Sequence, residues 1–248
     1  GLTWHLQKNI FVGWAIGVFA MVATIGMLVP EMSGVYESNT NMKQMITAMG
    51  GDGAMIPTFL SAMLMITSLM VIAYAVQAIA RMRSEESTGH LENILATKQS
   101  RICWLLKHVT VITLGSLLML VMSGVVMALF VNGSAVDYTA DVAEYALAGL
   151  SYMPVVLAFM GGYILLFGIL PRLANVVAWL YFAFVAFMSW IGPLLQLDES
   201  ILRLNVLHHL ASPPANAIDW GILGVITAIA ATMMLIGLLG WRRRDIAV

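Results

Sequence analysis

The chain has 248 residues, of which 60% are hydrophobic and only 10% are charged, and its formal net charge is −1. Soluble domains are about half apolar and a quarter charged, so this composition excludes an ordinary soluble protein and indicates a membrane protein. The near-zero charge indicates no nucleic-acid partner. The single cysteine, Cys103, excludes an internal disulfide framework, and we interpret it as a packing thiol.

Six stretches are long and apolar enough for transmembrane helices, which need roughly 20 predominantly apolar residues. In chain order they cover about residues 10–30, 56–80, 109–131, 147–170, 174–195 and 219–241. The predicted fold class is therefore all-α: a polytopic membrane protein in which residues 1–248 form a single transmembrane domain. Gly13 and Gly17 form a GxxxG pattern, which is weak evidence for helix contact in a glycine-rich membrane chain.

Three further segments do not span the membrane. Residues 1–9 predict an interfacial lead-in or simply a frayed helix start, and residues 31–55 predict a polar outer loop with one short helix. In residues 196–218, apolar side chains recur near helical spacing until two prolines interrupt the pattern. They are Leu197, Ile201, Leu204 and Leu207, followed by Pro213 and Pro214. We expect a short amphipathic helix there, at the outer interface.

The orientation follows from the Lys and Arg residues of short loops, which accumulate on the cytoplasmic side. If both termini lie on one side, ten of the twelve basic residues lie there, and only Lys43 and Arg203 lie on the other. The ten are Lys8, Arg81, Arg83, Lys98, Arg101, Lys107, Arg172, Arg242, Arg243 and Arg244. We therefore predict that both termini are cytoplasmic.

The sequence carries no motif for catalysis. It has no GxxxxGK[ST], HExxH or GxSxG motif and no Cys/His cluster, so we predict neither catalytic residues nor a metal site. His208 and His209 would point about 100° apart on a helix, which suits a shared metal poorly. The apolar cores of the spans contain no Asp, Glu, Lys or Arg, which weighs against a proton-coupled carrier.

Several polar side chains remain within the spans. By default they form hydrogen bonds between helices, and the alternative is that they line a path for an amphiphile. They are Thr67, Ser68, Gln77, Ser116, Ser123, Tyr163, Asn175 and Ser189. The sequence does not indicate which residues bind a substrate.

The stretch RSEESTGHLENILAT at residues 83–97 collects three acids in a chain with few charges. Leu91, Ile94 and Leu95 fall on one face of a helix, Glu92 lies off that face, and Ser100 is a plausible N-cap for the next helix. From the residues alone, this segment is either a solvated inner loop or a docking surface for another protein.

The pattern EExxGHLExxLATxxSRxxWLxxH, from Glu85 to His108, resembles the cytoplasmic signature of ABC-2 type permeases. Three wider stretches, AYAVQAIARMRSEESTGHLE, GILPRLANVVAW and GWRRRDI, resemble the membrane subunits of polyketide-antibiotic (tetronasin-type) ABC exporters, in their C-terminal six-span half. Such a second half would account for the missing initiator Met. Lys98 stands where that family usually has proline, and His90 replaces the commoner Thr.

The resemblance implies that residues 81–108 form a coupling loop whose helix docks onto a separate ABC ATPase subunit. The implied coupling residues are Glu85, Glu86, Gly89, Leu91, Glu92, Ile94, Leu95 and Arg101. It also implies that this chain binds no cofactor, that ATP and Mg²⁺ are bound by the partner, and that a second six-span half or a second permease copy completes the path.

The resemblance thus predicts a permease subunit in a bacterial cell membrane that exports an amphiphilic compound, such as an antibiotic, a drug or a lipid-like molecule. It is not itself an enzyme on this interpretation. The alternatives are a secondary transporter and a membrane scaffold without transport activity.

Overall fold

The structure, a computed structural model, describes residues 2–38, 55–87, 101–133, 139–191 and 198–243. All regular elements in these ranges are helical, which confirms the all-α prediction. The α-helices are α1 (Leu2–Ser38), α2 (Met55–Ser87), α3 (Arg101–Asn132), α4 (Val142–Leu150), α5 (Met153–Ile169), α6 (Pro171–Ile191), α7 (Glu199–Leu202) and α8 (Trp220–Arg243). A 3₁₀ helix covers Val206–His209.

Six helical segments are long and apolar enough to cross a membrane, as predicted. They are Gln7–Val29, Ile56–Arg83, Ile102–Asn132, Val142–Ile169, Pro171–Ile191 and Trp220–Arg242. Residues 2–9, predicted as a lead-in, continue directly into the first span as one helix. The first helix also runs on to Ser38, into the stretch predicted as a loop.

The fourth span consists of two helices instead of one. Asp141 caps the first of them, α4, by accepting a hydrogen bond from the Ala143 amide at 2.8 Å. The helix then breaks at Ser151 and Tyr152, and α5 starts at Met153 with Pro154 in its first turn, where the missing N–H of proline is tolerated. Pro171 likewise starts α6 after a single connecting residue, Leu170.

The helices form two groups joined by α2. In the first group α1, α2 and α3 pack against one another, and α4 packs on α3. In the second group α8 and α6 both pack on α5, and the α5–α8 pair is the most extensive helix contact within the described ranges. Because α2 also contacts α5 and α6, the two groups form one bundle. We call the end of the bundle that carries Lys8, Arg81, Lys107, Arg172 and Arg242 the basic end.

Glycines allow close backbone contact on two helix seams. On the α3–α4 seam a Cβ on Gly124 would collide with the Tyr145 carbonyl, and one on Gly149 with the Leu120 carbonyl. On the α5–α8 seam a Cβ on Gly161 would lie 2.7 Å from the Ala230 carbonyl oxygen, and Gly168 and Gly237 face each other's helix as closely. Small residues let backbones approach in this way in membranes.

The 198–219 segment differs from its prediction. The leucine spacing predicted one amphipathic helix, whereas α7 has only four residues and a separate 3₁₀ helix follows after a turn. The predicted apolar face is divided, because Leu207 is buried while Ile201 and Leu204 are exposed. Asp198 starts the segment by accepting the Ser200 amide at 2.9 Å, and this hydrogen bond lowers the pKa of the Asp198 carboxyl.

Candidate functional site

A cavity of about 420 Å³ lies between α5, α6, α8 and the 198–219 segment. Its lining is almost entirely apolar and aromatic. The lining residues are Ala158, Phe159, Gly162, Tyr163, Leu166, Val177, Ala178, Tyr181, Arg203, Leu204, Val206, His209, Ile226, Ile229 and Met233. Clefts of this volume, with an apolar wall and few polar groups, are typical of small-molecule sites.

The cavity reaches the middle of the bundle. Tyr181 is the central residue of α6, a helix of 21 residues, and at 1.5 Å per residue it lies about 15 Å from either end. Gly162 lies about midway along α5, and a Cβ added there would meet nothing within 4 Å. The cavity therefore offers an apolar chamber within the transmembrane layer.

The cavity is open sideways. Both α6 and α8 pack on α5, but their contact with each other is at most marginal. Lining residues at the edge are accordingly exposed, among them Tyr181 on α6 at 39% and Ile229 on α8 at 52%. A molecule dissolved in the apolar part of a bilayer could thus enter between α6 and α8.

The 198–219 segment closes the cavity at the end away from the basic end. The Tyr181 hydroxyl donates to the Leu204 carbonyl at 3.2 Å, and the Asn205 amide donates to the Ser189 hydroxyl at 3.0 Å. A third bond, from the Ala215 amide to the Ser61 hydroxyl at 2.9 Å, fixes the segment to α2. These bonds hold the segment within the layer occupied by the second half of α6.

Polar groups of the rim come from the same segment. Arg203 and His209 both line the cavity, beside the exposed Leu204. The Nε2 atom of His209 lies 2.9 Å from the Arg203 carbonyl. Because a carbonyl can only accept, Nε2 carries the proton of this bond, and the bond orients the imidazole next to Arg203.

The polar residues of the spans fill only in part the two roles that the sequence left open. Tyr163 lines the cavity and donates to the Asn175 side chain at 2.5 Å, between α5 and α6. Gln77 accepts from the Trp14 indole at 2.5 Å, between α2 and α1. Thr67, Ser68 and Ser123 donate to carbonyls of their own helices. Most of them therefore bond within the protein.

A second polar site lies buried near the basic end. The Gln7 amide of α1 donates to the Ala78 carbonyl of α2 at 3.2 Å and lies 3.1 Å from Nδ1 of His108 on α3. We call Gln7, Ala78 and His108 the polar node. His108 is 1% exposed and lies inside the third span, although the sequence placed it just before that span.

A row of aromatic rings connects the polar node with the cavity. The ring of His108 lies 4.7 Å from Trp104, which lies 5.7 Å from Trp241. Trp241 lies 5.7 Å from Phe167, and Phe167 lies 6.4 Å from Tyr163 in the cavity wall.

Cys103 precedes Trp104 in the sequence, and its side chain is exposed. The interpretation of Cys103 as a packing thiol was therefore wrong.

The predicted coupling residues are placed only in part. Glu85 and Glu86 belong to the last two turns of α2, and Arg101 is the first residue of α3. Gly89, Leu91, Glu92, Ile94 and Leu95 lie outside the described residues, so their assignment to a coupling helix stays a prediction.

From the sequence, the adjacent residues His208 and His209 were not expected to share a metal ion. No group of three His, Cys, Asp or Glu side chains forms in the described ranges.

A sequence model of one protein family matches residues 1–242, and its description is "Multidrug efflux system permease Rv1217c, C-terminal domain". The chain belongs to this family. It is also 26% identical over 248 residues to the multidrug efflux system permease protein Rv1217c of Mycobacterium tuberculosis (strain ATCC 25618 / H37Rv). That similarity covers 99% of this chain and 45% of the relative, so the chain spans about half the length of the curated relative.

Membership of the Rv1217c C-terminal family and the six apolar helices together make this chain a multi-pass membrane protein of a permease family. Of the cavity residues, Tyr163 was named from the sequence as one that could line a path and Leu204 as part of the outer segment, whereas the cavity itself was not predicted. From the sequence, Arg203 was predicted only as an outer basic residue, and His209 was noted only as half of a histidine pair. The one available signal was that Arg203 is a rare basic residue on the predicted outer side.

Proposed function

We propose that this chain is the membrane subunit of an ATP-driven ABC-2 type exporter, and that the cavity between α5, α6 and α8 holds the exported compound on its way out. The observation that carries the proposal is a drug-sized apolar chamber, at mid-membrane depth, in a chain of a multidrug-efflux permease family. The named activity belongs to the relative. We extend it to this chain because the chamber has the size and lining that a drug needs.

The direction of transport is inferred from the charge distribution. From the sequence, ten of the twelve basic residues fall on the side of both termini if both termini lie on one side, which favours a cytoplasmic location for that side. The 198–219 segment would then cover the cavity on the outer side and act as an exit cap. The hydrogen bonds from Tyr181, Asn205 and Ala215 that join it to α6 and α2 would break and re-form as the cap opens.

Energy for export would come from a separate ABC ATPase subunit. This step rests on the resemblance of residues 85–108 to the ABC-2 signature, in which the acids and apolar residues of the loop dock onto the partner. Trp104 and His108 lie in the first turns of α3, so a force on the predicted loop would reach the polar node through α3. From there the aromatic row leads to the cavity wall.

We further propose that a second six-span half, or a second permease copy, completes the path. The proposal includes the resemblance to polyketide-antibiotic exporters that the sequence suggests. A small amphiphilic antibiotic would be a suitable occupant of the apolar chamber. A secondary transporter remains the second candidate, because His108 is a titratable group buried inside a span. Proton-coupled carriers keep such groups in the membrane.

The test is transport in inside-out membrane vesicles that contain the full natural permease chain and its ATPase subunit. We expect ATP to drive uptake of an amphiphilic dye, and a hydrolysis-deficient ATPase to abolish it, with a protonophore having little effect. Uptake driven by a proton gradient without ATP would establish the secondary transporter instead.

A coupling variant makes the test specific. The triple change Leu91→Ala, Ile94→Ala and Glu86→Gln removes two apolar anchors and one charge of the predicted docking segment. Loss of one buried anchor typically costs about 2 kcal/mol, or roughly 30-fold in affinity, so ATPase co-purification should fall at least that much. Leu114→Ala, on the exposed face of α3, is the matched control and should leave capture unchanged. Undiminished capture by the triple variant would refute the docking segment.

A further inference from the structure

The charge of the cavity rim indicates what kind of molecule the cavity accepts. Among the described residues that line it, Arg203 is the one with a full charge at neutral pH, and it sits in the segment that closes the cavity. The remaining wall is apolar apart from the Tyr163 and Tyr181 hydroxyls and His209. Both hydroxyls already donate to protein oxygens, to Asn175 and to the Leu204 carbonyl.

We propose that the cavity selects amphiphilic acids: molecules with an apolar or aromatic body and one anionic group, bound with the anion at Arg203. This inference rests on the proposed function, because it names the substrate class of the same cavity. A guanidinium is planar and presents several donors in a fixed fork, which matches a carboxylate better than any neutral group.

The apolar body would lie deeper, between the helices. Phe159 and Tyr181 stand with their ring centroids 5.2 Å apart in the wall, and rings at this spacing pack well against a further aromatic ring. Gly162 of α5 leaves open space in the cavity, because a Cβ added there would meet nothing within 4 Å. A molecule of this class would enter sideways between α6 and α8, as an acid that has partitioned into the bilayer with its anion towards the surface.

His209 adds geometry to the recognition. Its Nε2 proton is used by the Arg203 carbonyl, so this bond fixes the imidazole and the Arg203 backbone relative to each other. Arg203 therefore projects from a braced turn, because Leu204 and Asn205, the two residues that follow it, are bonded to α6 through Tyr181 and Ser189. A braced turn fixes the point from which the Arg203 side chain extends, so less backbone freedom is lost when an anion binds.

The experiment compares two photoreactive probes that differ only in charge: para-benzoylbenzoic acid and its primary amide. The full natural permease chain, in vesicles of phosphatidylcholine, is irradiated with each probe at rising concentration. Labelled peptides from α5, α6 and the 198–219 segment are then quantified by mass spectrometry. We expect the acid to reach half-saturation at roughly tenfold lower concentration than the amide, since a charged partner strengthens such hydrogen bonds.

Three variants locate the preference. Arg203→Gln should raise the half-saturating concentration of the acid roughly to that of the amide and leave the amide unchanged, whereas Arg203→Lys should keep most of the preference. Arg172→Gln removes an exposed arginine from the other end of α6 and should change neither probe. Equal labelling by acid and amide in the unaltered protein, or an equal loss in Arg172→Gln, would overturn the proposal.

Two further arms separate the possible failures. Gly162→Leu should abolish cavity labelling by both probes. If it does not, the cavity itself is not a binding site and the proposed function loses its support. If Gly162→Leu abolishes labelling by both probes, but the acid and the amide label the unaltered protein equally well, only the preference for acids fails. Replacing phosphatidylcholine with phosphatidylglycerol should leave labelling by the acid in place. Loss of labelling there would assign the Arg203 site to an anionic lipid headgroup and overturn the substrate class.

Discussion

Two adjacent glycines of α5 allow a direct test of how the cavity walls are held. Gly161 faces α8, and an added Cβ would lie 2.7 Å from the Ala230 carbonyl oxygen, where ordinary contact begins near 3.4 Å. Gly162, one residue later, faces the cavity and meets nothing within 4 Å. Gly161→Ala must therefore push α5 and α8 apart by roughly 0.7 Å, whereas Gly162→Ala enters open space.

The comparison isolates the collision, because both variants gain the same helix propensity of about 1 kcal/mol from Gly→Ala. Overpacking of a tight contact typically costs 1–3 kcal/mol, so Gly161→Ala should be about 1–3 kcal/mol less stable than Gly162→Ala. The assay is reversible unfolding in mixed micelles with increasing sodium dodecyl sulfate, followed by circular dichroism. Equal stability of the two variants would show that the α5–α8 seam does not hold the cavity walls together.

Three other predictions follow from the described geometry. Exposed Cys103 should react with an impermeant maleimide in inside-out vesicles but not in intact cells, and Ser200→Cys should behave oppositely; labelling of Cys103 from outside would reverse the predicted orientation. His108→Leu should destabilise the protein by about 1–3 kcal/mol in the same unfolding assay, because buried Gln7 loses a partner; an unchanged midpoint would show that the polar node adds nothing. Asn205→Ala should impair export at normal membrane levels, since its bond to Ser189 holds the cap, while the exposed Asn216→Ala should not; equal export by both would make the segment a plain connector.

The spans could be predicted because an apolar run of membrane length has few other uses. Helix ends were harder to predict. Hydropathy does not reveal the break at Ser151 and Tyr152, because the helices on both sides of it are apolar. In the 198–219 segment the leucine spacing predicted a continuous helix. Asn205 interrupts it, because its side chain caps the 3₁₀ helix by accepting from the Leu207 amide at 3.0 Å.

The helix contacts were beyond sequence reasoning. Within the part of the chain that the structure describes, the GxxxG pair makes no close backbone contact: a Cβ on Gly13 would meet nothing within 4 Å, and one on Gly17 would meet only the Met70 methyl. The tight seam pairs Gly161 with Ala230 and Gly168 with Gly237, each separated by 69 positions. A single sequence gives no measure of which distant glycines meet, because small residues in membranes mark possible contacts without naming the partner.

The cavity was missed for the same reason. Its wall combines Gly162, Tyr181, Ile229 and Arg203, which come from four separate stretches of the chain. Each of them alone is an ordinary residue of a span or a loop. The coupling residues show the opposite case: a local motif suggested them, and they remain a prediction because Gly89, Leu91, Glu92, Ile94 and Leu95 lie outside the described part of the chain.

The central claim is that exported molecules pass through the cavity between α5, α6 and α8, and Gly162→Leu tests it most directly. The new side chain would fill open space in the cavity, whereas the same change at Gly13, also without a neighbour within 4 Å, lies on α1 away from the cavity. ATP-driven dye transport is measured in vesicles with equal amounts of each permease. We predict that Gly162→Leu loses most of its transport while Gly13→Leu keeps it. Full transport by Gly162→Leu would contradict the account.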